Sequence, residues 1–473
     1  MILFYTFIGS LLGLLVGSLP GLSVTMATAL LLGLTYSWPT HYALATIMGV
    51  YVVGVYSGAT SAILINVPGA PSALVTTLDG YPMAKKGLGA DALFLATIYS
   101  VVGSLFGLIS LALFAKPLSL LALSFRTIDY FLLALFALSA LMSLSGDEPK
   151  KAILAGMAGI VFSLVGLDPI TGTHRFTLGL RLLQPGIPLV PVLLGLFGIS
   201  EALVMLDHKG LGRFTLNKRK IKLKEALSYL PFSLYYALLG TLVGVLPGAG
   251  TPIASFLSYS QAVKRTKNPV VAFGQGAREG IIAPETANNA CVGGALIPML
   301  SLGIPGDGVS AIILSVFMVH GLKPGPLFMS QNYDIFILIL KSGALASLFL
   351  LLLGLSIAPH LGFVAKIKNS HLAIIVIVLS FLGAYSYNYR SFDILIMVFF
   401  GFLAYVFKSY KIPTAPLVLG LVLGPMMDAN FRRSVLLMGR EGMVSYMLHP
   451  ITLFFLGLLS LLFLYPHYKK KRG

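Results

Sequence analysis

The sequence predicts an all-α polytopic membrane protein that consists of two inverted repeats with broken or re-entrant helices. The composition is the first reason, because 57% of the 473 residues are hydrophobic and only 10% are charged, whereas soluble domains carry roughly 25% charged residues. Second, apolar runs of about 20 residues, long enough to span a bilayer, recur along the whole chain. Third, proline–glycine pairs interrupt these runs at four places, and the places match between the two halves.

The excess of basic residues is explained by membrane topology. The formal net charge is +17, which in a soluble protein would suggest nucleic-acid binding. The basic residues gather in polar loops, as is typical of cytoplasmic loops, so we expect no nucleic-acid partner. A basic interior that favours anions is the alternative. The single cysteine, Cys291, excludes an internal disulfide and a cysteine-based metal cluster, and we expect no cofactor.

The chain divides into two membrane repeats. We expect repeat 1 over residues 1–207, a basic cytoplasmic linker over 208–225, repeat 2 over 226–447, and a C-terminal membrane helix with a basic tail over 448–473. The first apolar run lacks the basic start and the cleavage site of a signal peptide, so we expect it to stay in the membrane. Because the N-terminal end is uncharged while the linker and the tail are basic, the positive-inside rule predicts an outside N-terminus and an odd number of crossings per repeat. The repeats would then be inverted relative to each other.

The duplication is visible as matched interruptions. The G-x-L-P-G pattern of residues 17–21 recurs at 244–248, and the Pro-Gly pair at 68–69 recurs at 305–306, so that both offsets are close to 230 residues. Interrupted hydrophobic segments at corresponding positions of two halves point to the binding site of a secondary transporter. The alternative is that proline and glycine are simply frequent in membrane helices, but scattered kinks should not recur at matched positions.

Each interruption frees backbone groups that could hold an ion. Proline lacks an N–H group and glycine adopts any φ, so together they stop a helix. At membrane depth the freed groups are tolerated only where protein or a water-filled cavity satisfies them. The N–H groups that start the next helix favour carboxylates, and the carbonyl groups that end the previous one suit Na⁺. The candidate substrate-binding residues are Pro20, Gly21, Ser23, Asn66, Pro68, Gly69, Ser72, Pro247, Gly248, Gly250, Thr251, Asn288, Asn289, Pro305, Gly306 and Ser310, and the candidate Na⁺ ligands are Asn66, Asn289 and Gly303.

The stretch from 273 to 290 is the most polar segment with apolar flanks. It contains three candidate charge partners, Arg278, Glu279 and Glu285, and an ionisable group inside the membrane costs roughly 3 kcal/mol even on the lenient insertion scale. Arg278 could bind a substrate carboxylate, or it could pair with Glu279 or with a more distant acid. The alternative is that the segment begins in a loop where its charges are solvated.

Other charged residues suggest structural or coupling roles. Asp79 is expected in a loop, residues 78–87, at the membrane surface, and the His-Arg pair at 174–175 is expected in a polar loop. Glu201 and Asp428 lie near the ends of corresponding spans, which makes them candidate coupling acids.

Taken in order, these motifs resemble the large membrane subunit of tripartite tricarboxylate transporters, the TctA-type permeases. The resemblance rests on the paired G-x-L-P-G motifs, N-V-P-G at 66–69, D-G-Y-P-M-A at 79–84, the stretch 273–289 with the small-residue segments that follow it, and the two arginines at 432–433. It covers nearly the whole chain.

This resemblance implies the uptake of citrate, another tricarboxylate or a related carboxylate across the bacterial inner membrane, by a chain that is not an enzyme. A periplasmic solute-binding protein would deliver the substrate, and a small four-helix membrane subunit would be the partner within the lipid bilayer. A Na⁺ or H⁺ gradient would drive uptake, and the sequence contains no G-x-x-x-x-G-K phosphate loop. The plan of the family is similar to that of elevator-type carboxylate transporters.

Two positions depart from the pattern of the family. Ser57 lies in a Tyr-Ser-Gly sequence where Tyr-Gly-Gly is frequent, and Asp307 stands where a small polar residue is common. An ionised Asp307 close to the substrate would repel a tricarboxylate. The rival hypotheses are a carboxylate carrier or channel that works without a binding protein, and an intramembrane aspartyl protease. The protease would need a second membrane aspartate beside Asp307 to share a proton.

Overall fold

The structure is a computed structural model and describes residues 1–19, 22–144, 149–168, 170–206, 221–361 and 369–470. Over these residues the chain is almost entirely helical, which confirms the predicted all-α class. Pro20, Gly21 and most of the predicted linker lie outside the described residues. In the first half the helices are α1 (Ile2–Ser18), α2 (Val24–Leu34), α3 (Thr40–Ile65), α4 (Thr76–Met83), α5 (Gly89–Ala122), α6 (Thr127–Leu144), α7 (Pro149–Ser163), α8 (Leu189–Leu193) and α9 (Ser200–Leu206).

The second half is also mostly helical over the residues that the structure describes. Its helices are α10 (Leu223–Leu227), α11 (Leu230–Val245), α12 (Gly250–Arg265), α13 (Glu279–Leu302), α14 (Gly308–Val319), α15 (Phe328–Gln331), α16 (Tyr333–Ser356), α17 (Asn369–Asn388), α18 (Ser391–Ser409), α19 (Ala415–Glu441), α20 (Met443–Met447) and α21 (Pro450–Lys470). Two short strands, β1 (Gly166–Leu167) and β2 (His174–Arg175), form an antiparallel hairpin between α7 and α8. Short 3₁₀ or π segments lie at Pro71–Ala73, Ala84–Leu88, Arg181–Leu183 and Leu194–Ile199.

Long apolar helices support the polytopic class. Within the described residues, six helical stretches are long and apolar enough to cross a membrane. They are Thr40–Ile65, Thr76–Ala122, Leu189–Leu206, Tyr333–Ser356, Ser370–Asn388 and Ser391–Ser409.

The chain folds back on itself at both G-x-L-P-G motifs. The ring of Tyr5, near the start of α1, lies 5.4 Å from the ring of Trp38 and 4.4 Å from that of Tyr42, which both follow the end of α2. In the second half the guanidinium of Arg265, at the end of α12, lies 4.1 Å from the ring centre of Tyr235 in α11. Each pair of helices is therefore a hairpin whose two open ends meet, and the turn of the second one contains Pro247 and Gly248.

Each hairpin packs along a long helix that runs in the same direction as its first arm. Glycines make these contacts, because small residues let helix backbones approach closely. The facing pairs are Gly9–Thr46 and Gly17–Gly54 for α1 and α3, and Gly240–Ala287 and Gly244–Cys291 for α11 and α13.

Helix α13 is the central element of the bundle, and all 24 of its residues are buried. It runs parallel to α5, where Gly103 faces Thr286 and Gly107 faces Ala290. A Cβ atom added to Gly293 would lie 2.1 Å from the carbonyl oxygen of Gly107. The two helices therefore touch backbone to backbone, which fixes the position of every polar side chain on α13.

Helices α3 and α13 end in the same way. Asn66 and Gly303 adopt the left-handed conformation, with φ of 58° and 73°, and this conformation ends a helix. The chain then returns along the helix that it has left: the N–H of Gly69 donates to the carbonyl of Gly58 over 3.3 Å, and Gly306 lies against Ala295. In both cases the contacted residue lies eight positions before the cap, which is about 12 Å along the helix. The next segments, from Pro71 and from Gly308, thus begin inside the bundle.

The expected loop at 78–87 is wrong. Helix α4 extends to Met83, and Asp79 on it is buried rather than at a surface. The chain leaves the helical conformation only at Gly87, with φ of 77°, just before α5 begins. The carboxylate of Asp79 accepts hydrogen bonds from three backbone N–H groups and one hydroxyl, and these long-range bonds outweigh the local turn signals of glycine and proline. The donors are Gly274, Gly276 and Ala277, each at 2.8 Å, and Tyr259 at 2.9 Å.

Substitution of Gly293 by alanine should destabilise the protein, because the added methyl group collides with the backbone of α5. Overpacking of a tight contact typically costs about 1–3 kcal/mol, so the melting temperature of the purified protein in detergent should fall. The control is Gly439→Ala in α19, where an added Cβ meets no atom within 4 Å and alanine is the better helix former. Equal melting temperatures for the two variants would contradict the close α5–α13 contact.

Candidate functional site

Residues that follow all four interruptions line one cavity of about 380 Å³, which lies in the lower part of the size range of small-molecule sites. Ser23 comes from the first break, Ser72 from the second, Thr251 from the third and Pro305 from the fourth. The opposite wall is built by α9, α18, α19 and the turn that joins the last two helices. The matched breaks are therefore neither scattered over the surface nor directed at lipid.

Three helices begin at this cavity. The Oγ of Ser23 accepts a hydrogen bond from the N–H of Met26 over 3.0 Å and caps α2. The Oδ1 of Asp307 accepts one from the N–H of Ser310 over 2.8 Å and caps α14. Helix α12 begins at Gly250. The first N–H groups of a helix lack intrahelical partners and carry partial positive charge, so their convergence makes the cavity suitable for an anion.

Three charged side chains line the cavity as well. Lys408 at the end of α18 lies 2.6 Å from Glu201 in α9, and both side chains are partly exposed. The Oδ2 of Asp307 accepts a hydrogen bond from the buried hydroxyl of Tyr51 over 2.7 Å. Among the described lining residues, Lys408 is the only lysine or arginine.

Sequence reasoning missed Lys408 and Tyr51 as cavity residues. A lysine in the last turn of an otherwise apolar span is a signal that could have found Lys408. Tyr51 carries no such signal, because it lies in the middle of the long buried helix α3. Of the two candidate coupling acids, Glu201 lines the cavity and Asp428 does not.

The predicted substrate-binding residues divide into three groups. Those that line the cavity are Ser23, Ser72, Gly248, Gly250, Thr251 and Pro305. Two more contact residues that line the cavity. The carbonyl of Gly306 accepts a hydrogen bond from the N–H of Gly248 over 2.7 Å, and Ser310 forms the capping box with Asp307. The third group lies elsewhere. Asn66, Pro68 and Gly69 form the turn after α3, Pro247 lines a separate apolar cavity, Asn288 and Asn289 lie within α13, and Pro20 and Gly21 fall outside the described residues.

Glu285, Asn288 and Asn289 form a second, fully buried polar cluster. The carboxyl of Glu285 accepts hydrogen bonds from the hydroxyls of Thr76, over 2.6 Å, and Ser100, over 3.3 Å. The amide of Asn289 donates to Asn288 over 2.6 Å. This cluster joins α4, α5 and α13, and none of its members is among the described residues that line the cavity.

Arg278 pairs with a distant acid, which was one of the alternatives that the sequence left open. Its guanidinium lies 2.5 Å from Glu225 in α10, and this contact holds the pKa of Glu225 below its usual value. Glu279 is buried at the start of α13, beside a recess lined by Tyr229 and Arg265. These charges fasten α10 to the start of α13 and lie outside the cavity.

The hairpin between α7 and α8 is attached to α19 by an ionic cluster. Asp168 is buried and lies 2.5 Å from Arg175 and 2.9 Å from Arg432, while Arg175 also lies 3.0 Å from Asp428. Hydrogen bonds from Arg175 hold the pKa of Asp168 well below its usual range, with Thr171 and Arg432 adding to the effect. Asp428 thus belongs to a structural ion pair in this part of the chain.

The variant Asp168→Asn should melt at a lower temperature than the wild type at pH 7, because it removes the carboxylate that both arginines share. The folded pKa of Asp168 is depressed, so its stabilisation is present above the unfolded value of about 3.9 and is lost as the pH falls towards the folded value. The difference in melting temperature should therefore shrink below about pH 4. The control is Asp334→Asn, an exposed aspartate in the first turn of α16. A difference that stays constant from pH 7 to pH 3 would contradict this role.

A family model and a known protein each match nearly the whole chain. A model of the tripartite tricarboxylate transporter TctA family matches residues 3–419, a range that contains all four breaks. A protein of Agrobacterium vitis described as "Uncharacterized 52.8 kDa protein in TAR-I ttuC' 3'region" is 35% identical over 454 residues, which cover 94% of this chain and 89% of the relative. Another from the same organism, "Uncharacterized protein in TAR-II ttuC' 3'region", is 36% identical over 239 residues, which cover 49% of this chain and 97% of the relative.

Proposed function

Because the chain belongs to the tripartite tricarboxylate transporter TctA family, we propose that it is the permease subunit of a binding-protein-dependent secondary transporter for citrate, another tricarboxylate or a related carboxylate. Membership of the family and the apolar helices make the chain a multi-pass membrane transporter subunit. The proposal of a carboxylate substrate rests on one observation, which is that α2, α12 and α14 all begin at the same cavity.

One carboxylate of the substrate would bind at the helix starts. Their unpaired N–H groups supply donors at no cost in side-chain ordering, and the hydroxyls of Ser23, Thr25 and Thr251 lie in the same wall. A second carboxylate would bind Lys408, which could exchange Glu201 for the ligand. This arrangement would favour substrates with at least two carboxylates.

We propose that the two halves are inverted repeats, and the helix directions support this. Helix α4 runs parallel to α3, since Ala70 lies at Gly58 and Gly80 at Ile63. It runs antiparallel to α13, since Asp79 lies at Gly280 and Thr76 at Glu285. Helices α3 and α13 therefore run in opposite directions. Because the first arm of the α1–α2 hairpin is parallel to α3 and that of the α11–α12 hairpin is parallel to α13, the two hairpins point in opposite directions.

An elevator-type movement is part of the same proposal. The cavity lies between the segments that carry the four breaks and the helices α9, α18 and α19. A substrate at such a boundary would be carried by one group of helices past the other, so that the site itself moves between the two sides of the membrane.

Na⁺ or H⁺ would drive uptake across the bacterial inner membrane. The carbonyl groups that end α3 and α13, at Asn66 and Gly303, remain candidate Na⁺ ligands, and Asn289 lies on the buried face of α13. A periplasmic solute-binding protein and a small membrane subunit are the proposed partners, in keeping with the tripartite character of the family.

The structure gives less support to the rival hypotheses. An aspartyl protease needs two carboxyl groups that share one proton, but Asp79 is bound to backbone N–H groups of residues 274–277 and is not among the residues that line the cavity with Asp307. A channel would not need two hairpins that meet at one enclosed cavity.

Counterflow of labelled citrate tests the proposed function. Proteoliposomes that contain the chain with its membrane subunit, loaded with unlabelled citrate, should transiently accumulate external labelled citrate above equilibrium, because a carrier exchanges solute without a net gradient. Addition of the binding protein should raise the rate. Equilibration without an overshoot would indicate a channel, and a rate that does not depend on the binding protein would indicate an autonomous carrier.

Lys408→Gln should weaken citrate binding about tenfold or more, because hydrogen bonds to charged groups contribute about 1.5–3 kcal/mol. Glu201→Gln should not weaken binding, since it frees Lys408 from its partner. The matched control is Lys411→Gln, an exposed lysine three residues further along the chain. Isothermal titration of the purified protein measures these affinities, and equal affinities for the variants at 408 and 411 would exclude Lys408 from the site.

A further inference from the structure

We propose that Asp307 is the cation-binding residue of the cavity, so that a monovalent cation, Na⁺ or H⁺, occupies the cavity together with the substrate carboxylate. The identity of the substrate in this inference rests on the proposed function. The assignment of the cation site rests on the geometry of Asp307 alone.

Asp307 stands where two of the interruptions meet. It follows the fourth break and caps α14, and Gly250 at the start of α12 packs against it, since a Cβ added to Gly250 would lie 3.2 Å from the Cβ of Asp307. Tyr51 from α3 and the N–H of Ser310 occupy one acceptor position on each carboxylate oxygen. A carboxylate has about four acceptor positions, so two remain for a ligand in the cavity.

Within the described part of the chain, Asp307 is the charged residue of the cavity that has no ion-pair partner. Glu201 and Lys408 form an ion pair and cancel each other. In the described part of the chain, no lysine, arginine or histidine nitrogen lies within 4.0 Å of the carboxylate of Asp307. An ionised Asp307 places one negative charge in the cavity, at the starts of α12 and α14.

A substrate carboxylate that enters this cavity meets that fixed charge. Inside a protein of low dielectric constant, two such charges repel each other far more strongly than in water, and the positive helix ends are already partly used by Asp307. A cation bound at Asp307 removes the repulsion. Binding of the carboxylate should therefore require the cation, and each should raise the affinity for the other.

The ligand chemistry at Asp307 suits a hard monovalent cation. Asp307 supplies carboxylate oxygens, and the hydroxyl-bearing residues Ser23, Thr25 and Thr251 line the same cavity, so the oxygen ligands that a hard cation prefers are at hand. The other titratable groups that face Asp307 are Tyr51 from α3 and Cys291 from α13, with Glu201 and Lys408 in the same cavity. A proton would be held by Asp307 itself.

The variant Asp307→Asn tests the proposal, because asparagine caps a helix as well as aspartate does and removes the charge. Its NH₂ group replaces the oxygen that accepts from the hydroxyl of Tyr51, and that hydroxyl can accept a hydrogen bond instead. The first measurement is the melting temperature of the substrate-free, full-length protein in detergent, against NaCl with choline chloride as the balancing salt, and separately against pH without Na⁺. One of these cations should stabilise the wild type and Asp334→Asn alike, and should not stabilise Asp307→Asn. Equal stabilisation of the wild type and Asp307→Asn, or none in either, would overturn the proposal.

The second measurement links the cation to the substrate. Citrate affinity of the wild type, measured by isothermal titration, should rise up to tenfold for a tenfold rise in the concentration of the effective cation, while that concentration is far below saturation of the substrate-free protein. The affinity of Asp307→Asn should lose this dependence. If both proteins keep the dependence, Asp307 is only a helix cap. If the wild type binds no carboxylate but its stabilisation by the cation still needs Asp307, the proposed substrate fails and the cation site stands.

Discussion

The structure depends on one constraint, which is that backbone polar groups at membrane depth must find partners. The sequence breaks four helices inside apolar segments, and each break frees N–H and carbonyl groups. Two breaks are the turns of hairpins, and two follow left-handed caps at Asn66 and Gly303, after which the chain returns inward. Because residues from each of the four breaks line one cavity, the same constraint that places the breaks also produces a site for a polar ligand.

Much of the fold could be predicted from the sequence because the signals are local. Apolar length predicted the recurring membrane-length helices, and proline with glycine predicted where the apolar segments are interrupted. The convergence of the breaks was predicted from their repetition alone. The segment around Asp79 was predicted wrongly, because its helical state depends on hydrogen bonds to residues almost 200 positions away.

The candidate site could be predicted less well than the fold. Ser23, Ser72 and Thr251 line the cavity because they directly follow a break, whereas Pro247 adjoins a break and faces an apolar cavity instead. The pairing of Lys408 with Glu201 depends on how α18 packs against α9, and no local pattern encodes that packing. Asn288 and Asn289 of the buried stretch were predicted to bind the substrate, but they lie with Glu285 in the cluster that joins α4 and α5 to α13.

The central claim is that the four breaks enclose one carboxylate-binding cavity, and protection of engineered cysteines by substrate tests it most directly. Cys291→Ala removes the single native cysteine, and single cysteines then replace Ser23, Ser72, Thr251 and Val309, which follow the four breaks. The account predicts that citrate slows the reaction of an anionic methanethiosulfonate at all four positions and leaves a control cysteine at the exposed Val270 unaffected. Protection at one break without the others, or at none, would contradict it.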